Sequence, residues 1–145
     1  MTSTVSPNAS SSVASSRRGL RITLWVLQVG LGLWFMMVGY SHALAPFDEV
    51  SQQATWMLDV PRALSLFIGY AEIAGGLGLI VPAATRIAPW LTPLAALGLA
   101  TIMILAIAFH IARGEASVIW IHTLLAAVAV FIAWGRWRRA PITRR

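Results

Sequence analysis

Residues 63–84 read ALSLFIGYAEIAGGLGLIVPAA, a run in which Glu72 is the single formal charge. A helix needs about 20 apolar residues, at 1.5 Å each, to cross a hydrocarbon layer ~30 Å thick. A surface helix of a soluble domain keeps its apolar residues to one stripe; this run is apolar on every face. The stretches Ile22–Tyr40, Ile87–Ala112 and Ala116–Gly135 share that character. The second and third connections are short, which requires antiparallel neighbours. The predicted fold is therefore all-α, a four-transmembrane-helix antiparallel bundle running up-down-up-down.

Composition agrees with this class. Hydrophobic residues make up 58% of the chain and charged residues 11%, against roughly a quarter charged in a soluble domain, so lipid is the expected solvent. A chain of 145 residues allows one domain. Residues 1–16, rich in Ser, Thr, Asn and Pro, are expected to be a disordered tail, with the membrane domain at 17–139 and a basic tail at 140–145. The absence of cysteine excludes disulfides, thiolate nucleophiles, iron–sulfur clusters and cysteine-held zinc. Ser16-Arg17-Arg18-Gly19-Leu20 resembles a twin-arginine export signal, and Ala43-Leu44-Ala45 a cleavage site. The apolar run between them exceeds the roughly 7–15 residues of a signal core, and Pro46 would hinder cleavage, so it is read as a retained first span.

The net charge is +6, and its placement decides its meaning. Nine arginines (Arg17, Arg18, Arg21, Arg86, Arg136, Arg138, Arg139, Arg144 and Arg145) fall on one side of the predicted bundle. Only Arg62 and Arg113 fall on the other. This is a positive-inside distribution, by which both termini are expected in the cytoplasm. The basic ends are expected against anionic headgroups, not nucleic acid. Tyr40, Trp56 and Trp120 toward the outer side, with Trp90, Trp134 and Trp137 toward the inner, form the expected aromatic belts.

The outer loop, 42–60, carries a pattern of its own. Pro46 can open a helix in which Phe47, Val50, Ala54 and Met57 lie opposite Asp48, Glu49 and Gln52. A short amphipathic segment on the outer membrane surface is predicted. Pro61 is expected as the first residue of the second span, and Thr92-Pro93 as the opening of the third. Small-residue steps at Ala71-xxx-Gly75, Ala74-xxx-Gly78 and Ala129-xxx-Ala133 allow close helix contact in lipid.

Polar groups inside the spans are the functional candidates. Counted from Pro61, Glu72 lies about 16 Å deep, near the bilayer middle, where an ionised carboxylate must be paired, protonated or facing a wet cavity. Gln28, about 10 Å from the inner side by the same count, is its expected partner. His42, His110 and His122 gather toward the outer side, where His110 and His122 could form a pocket with Tyr40, Arg113 and Glu115. By this count Glu72 and His110 differ by about 10 Å along the normal and need not share a site. Two histidines on adjacent helices can ligate haem or a metal. The plainer reading has each snorkel or bond a backbone carbonyl, and His110 counts as too near the surface for a buried cofactor. No metal site is assigned and no cofactor is evident, with a quinone left open as ligand. The chain has no glycine-rich phosphate loop, nucleophile elbow or HExxH, and so no self-contained catalytic constellation.

From about Ile22 to Trp137 the chain resembles the DoxX family, in particular its short DoxX-like branch. The resemblance is carried by Gly69-Tyr-Ala-Glu72-Ile-Ala-Gly75-Gly76-Leu-Gly78-Leu-Ile-Val-Pro82, extended by Trp90-Leu-Thr-Pro93-Leu-Ala-Ala-Leu-Gly98. Phe109-His110-Ile-Ala-Arg113-Gly-Glu115 and Ala133-Trp134-Gly135-Arg136 add to it. Relatives often end the first helix with Gly-x-x-Lys-Leu, whereas Gly39-Tyr-Ser-His42-Ala stands here, exchanging a permanent cation for a titratable imidazole. The resemblance implies a four-helix inner-membrane protein. The family's namesake is a small membrane subunit of a thiosulfate:quinone oxidoreductase, and some relatives are linked to membrane redox complexes.

The leading expectation is a small subunit or accessory of a redox or quinone-linked assembly, embedded in the bilayer beside redox partner subunits. In it Glu72 exchanges a proton, and His110 and His122 donate to a quinone-like carbonyl. The alternatives are a small proton-coupled exporter acting as a homodimer and a scaffold without a ligand.

Overall fold

In hydrocarbon a backbone N–H or C=O finds no water, so an apolar crossing must satisfy its own hydrogen bonds as a helix. The computed structural model, which describes the backbone of residues 7–144 and the side chains of residues 18–144, follows this rule. Its helices are α1 (Pro7–Ala43), α2 (Phe47–Gln53), α3 (Arg62–Thr85), α4 (Leu91–Ala112) and α5 (Ala116–Trp134). A 3₁₀ turn occupies Thr55–Leu58 and a π-helical turn Gly135–Arg139, and no strand occurs among the described residues. Four segments are long and apolar enough to cross a membrane: Arg18–Ala43, Arg62–Thr85, Leu91–Ala112 and Ala116–Arg139. The fold is a four-helix membrane bundle. The tail expected at 1–16 lies outside the described residues over 1–6, and over 7–16 the backbone continues α1.

Two helix starts differ from expectation. Pro61 caps α3 from outside and its carbonyl accepts the N–H groups of Leu64 and Ser65. α4 begins at Leu91, one residue before Thr92, whose buried hydroxyl caps nothing and has no partner. The helix can start early because Pro93 still lies in the first turn, where no N–H is required. The short connection before it bends through Arg86 and Ala88, both left-handed at φ 59° and 50°.

α1 packs along α3 and α4 along α5; α3 joins the two pairs, and a smaller α1–α5 contact closes the ring. The α1–α3 seam is made of glycines. A Cβ on Gly39 would stand 2.5 Å from the Gly69 carbonyl oxygen, and one on Gly76 would stand 2.5 Å from that of Gly32. Gly32 and Gly39 are seven residues apart, as are Gly69 and Gly76, so the two pairs meet two turns apart on antiparallel helices. The small-residue steps noted in the second span serve the next interface: Gly75 accommodates Leu99 and Gly78 accommodates Ala95, both from α4. Leu31, Phe35, Leu79, Leu99, Met103 and Ile132 fill the space between the helices.

Substituting Gly39 by Leu should force α1 from α3 and destabilise the protein by about 1–3 kcal/mol. Gly30→Leu, on the same helix where a side chain meets nothing within 4 Å, should be near neutral. Thermal unfolding of both variants in one detergent makes the comparison.

Candidate functional site

The depth of Glu72 follows from the glycine seam and not from the start of its helix. Gly69 lies against Ala43, the last residue of α1. The first seven residues of α3 therefore rise about 10 Å beyond the end of α1. Glu72, three residues further along α3, lies about 5 Å below the end of α1 while standing ten residues inside α3. The residue at its level on α1 is His42. His42 Nδ1 stands 2.8 Å from Glu72 Oε2, with Glu72 2% exposed. Gln28 is not the partner: its Nε2 donates to the Leu79 carbonyl, seven residues along α3 from Glu72.

The loop beyond α1 folds over this pair. The amphipathic pattern is present in α2, where Asp48, Glu49 and Gln52 are exposed. The helix ends at Gln53, and the following 3₁₀ turn buries Met57 to 1% exposure and stacks Trp56 edge-on against His42, 5.1 Å between centroids. Arg62 reaches back to the His42 carbonyl at 3.2 Å, satisfying an acceptor at the open end of α1. The segment thus covers the end of the bundle, with Met57 and Trp56 turned in.

A second polar cluster faces the first. Gly114, left-handed at φ 72°, ends α4 in a tight reversal, and the Glu115 N–H donates to the His110 carbonyl at 2.9 Å. That turn folds Glu115 over its helix, so His110 Nδ1 meets Glu115 Oε2 at 2.5 Å. Arg113 holds the other oxygen of Glu115 at 2.8 Å, pairs with Asp59 and reaches Thr55 at 3.4 Å, tying this turn to the loop above α1. The His122 ring lies 4.8 Å from that of His110, and its Nδ1 donates to the Val118 carbonyl at 2.8 Å.

Between the clusters lies a cavity of about 430 Å³. His42, Glu72, His110, Glu115 and His122 all line it, together with Trp34 and Trp56. Glu72 and His110 therefore share one site, contrary to the depth count, and His110 is buried. Tyr40 is absent from the lining and more than half exposed on α1. Arg113 acts behind the wall as a clamp. A larger depression, about 590 Å³, lies on the α4–α5 face. Its lining is apolar apart from Thr123, whose hydroxyl is spent on the Ile119 carbonyl, so it suits a lipid chain.

The three imidazoles share one design. Each commits Nδ1 to a protein acceptor and leaves Nε2 without a protein partner among the described residues. Such a ring offers a ligand an acceptor when neutral and a donor when protonated. Haem does not fit between them: coordination from both sides, with ~2 Å metal–nitrogen bonds, sets ring centroids about 6 Å apart. Among the described residues no three His, Cys, Asp or Glu side chains are grouped to hold a metal ion.

Trp56, Thr55 and Asp59 were missed as parts of the site. The Trp56 ring and the Asp59 charge were visible in the sequence, but not the fold-back that brings them over the bundle.

A family model described as the DoxX-like family matches residues 26–135. The chain belongs to the DoxX-like family. The match runs from the first helix through Gly135 and so includes every cavity-lining side chain named above. Nothing among curated proteins or solved structures matches the chain. In this DoxX-like protein, His42 at the end of the first helix is the residue that meets Glu72.

Hydrogen bonds from Arg113, and next from His110, lower the Glu115 pKa from 4.5 to about 2. Because the folded value is the lower one, this pairing stabilises the protein above the unfolded value, and the contribution is lost as pH falls toward 2. The stability difference between wild type and Glu115→Gln should therefore be greatest near neutral pH and shrink on acidification through this window. Thermal unfolding in detergent from about pH 6 downward measures it.

Proposed function

We propose that this DoxX-like protein is a small ligand-holding subunit or accessory of a membrane redox assembly, and that its cavity receives the headgroup of a quinone. The observation that carries this reading is the convergence of three anchored imidazoles and a buried carboxylate on one cavity within the membrane domain. Its volume, about 430 Å³, lies in the ~300–1,000 Å³ range of small-molecule sites. Trp34 and Trp56 supply flat apolar walls for a ring, and the free Nε2 atoms supply the complement to its two oxygens.

His42 and Glu72 hold a proton between them across 2.8 Å. Reduction of a quinone to its hydroquinone consumes two electrons and two protons. In this reading the electrons come from the electron carrier of a redox partner subunit, and the cavity side chains pass protons to the ring oxygens. Solvent would reprotonate them through the covering loop. This chain's part is to bind, orient and protonate. The distribution of arginines supports an inner-membrane location with both termini in the cytoplasm.

A proton-coupled exporter needs its membrane acid to reach both faces in turn. Glu72 is close to one end, and Phe35, Leu31 and Leu79 are packed between it and the other, so the geometry favours the quinone reading. A scaffold would have no need of a buried acid facing a cavity.

A short-chain quinone analogue should raise the Tm of the purified protein in detergent, and Glu72→Gln and His122→Ala should each weaken its binding about tenfold, the scale of one buried hydrogen bond. No analogue-dependent change in Tm would refute the quinone reading. Uptake driven by a pH gradient in proteoliposomes would replace it with the exporter.

A further inference from the structure

The opposite end of the bundle holds a buried cation with no acidic side chain paired to it among the described residues. All five acidic side chains (Asp48, Glu49, Asp59, Glu72 and Glu115) belong to the end where α1 finishes and α3 begins. Arg136 lies at the other end, in the π-helical turn that closes α5, and is 5% exposed. Gly135 brings it there: a Cβ at that position would stand 2.6 Å from Leu24, so its absence lets the end of α5 settle onto α1.

The guanidinium is then only partly satisfied. Its Nε donates to Gln28 Oε1 at 2.8 Å, and its central carbon lies 5.3 Å from the centre of the Trp25 ring. Gln28 is itself held by the Leu79 carbonyl and cannot turn away. Nη2 is buried and has no hydrogen-bond partner, and no ion pair among the described residues involves Arg136. Arginine does not shed its proton in a protein, so the site cannot neutralise itself. Leaving such a group unpaired in a low-dielectric setting is costly.

The surroundings make the need for an anion greater. Arg21 precedes Trp25 by four residues and Gln28 by seven, which puts it on the same face of α1. Arg138 and Arg139 follow Arg136 directly and are exposed. Trp25 lies against the guanidinium, and the exposed Trp137 follows it two residues before the fourth membrane-spanning segment ends at Arg139, where tryptophan marks headgroup level in a bilayer.

We propose that Arg136 anchors a site for an anionic phospholipid headgroup between the first turns of the membrane-spanning part of α1 and the π-helical turn. The lipid phosphate balances the guanidinium charge from the surface beside it, with Arg21 as a second cation. The acyl chains lie along the apolar outer surface of α1 and α5. A lipid is favoured over free phosphate because tryptophans border the group at the end of the membrane spans.

The test uses the full chain in detergent, reading thermal unfolding and lipid retention by native mass spectrometry. The probes are phosphatidylglycerol, phosphatidylcholine and inorganic phosphate. Phosphatidylglycerol should raise Tm in a concentration-dependent way and stay bound, while the other two should do neither. Arg136→Lys, which keeps the charge but loses the fork, should bind phosphatidylglycerol about tenfold more weakly. Arg21→Gln, an exposed position, should weaken it while leaving the lipid-free Tm unchanged, and so reports even if position 136 tolerates no change. The double variant Arg138→Gln, Arg139→Gln should retain most of the binding. The proposal is overturned by equal stabilisation from phosphatidylcholine, by stabilisation from inorganic phosphate alone, or by phosphatidylglycerol binding that survives both Arg136→Lys and Arg21→Gln.

Discussion

Backbone against backbone, where Gly39 meets Gly69 and Gly32 meets Gly76, α1 and α3 are locked in one vertical register. Lipid removes the hydrophobic force between helices, so contact is left to packing, and packing is tightest where no side chain intervenes. A slip of one turn would drive Cβ atoms into these crossings. Both polar assemblies follow from this lock. His42 is three residues past Gly39 and Glu72 three past Gly69, so the pair forms at one end of the seam. At the other end the same register sets Gln28 beside Leu79 and presents its oxygen to Arg136.

The two ends handle charge in opposite ways. Where the acids gather, they are answered from within: Arg113 bridges Asp59 and Glu115, Glu115 holds His110, and Glu72 holds His42. The loop carrying Asp59 and Trp56 is thereby fastened over the bundle, and charges that would be costly in the membrane form the wall and cover of a cavity. Where the arginines gather, no acidic side chain stands among the described residues to answer them. The fold closes one end on itself and leaves the other dependent on what surrounds it.

Hydropathy is a local property, so the crossings, their number and their antiparallel order were legible without coordinates. The family resemblance, resting on Gly69–Pro82 and three shorter motifs, was legible for the same reason. Depth was not. Counting from Pro61 assumed that α3 starts level with the end of α1, but the first seven residues of α3 stand beyond it beside the covering loop. That displacement is a property of two helices together, and it sets Glu72 level with His42. A signal for it did exist. The matching seven-residue glycine spacings on α1 and α3, aligned antiparallel, would have set the register and paired His42 with Glu72. The steps through Gly75 and Gly78 were read correctly as contacts, but they speak to α4.

The imidazoles of the cavity divide structural and chemical work between their two nitrogens. Nδ1 is bound to Glu72, Glu115 or the Val118 carbonyl, and those bonds hold the rings, join helix ends and orient each Nε2. Among the described residues the Nε2 atoms make no hydrogen bond to protein. A ligand can therefore exchange a proton at Nε2 without dismantling the bonds that position the ring. A lysine at the His42 position would bring three equivalent donors and no acceptor, leaving the site able to give a hydrogen bond but not to receive one. With histidine there, beside a buried acid, one edge of the cavity can either give or receive a hydrogen bond, while the α1–α3 register stays unchanged.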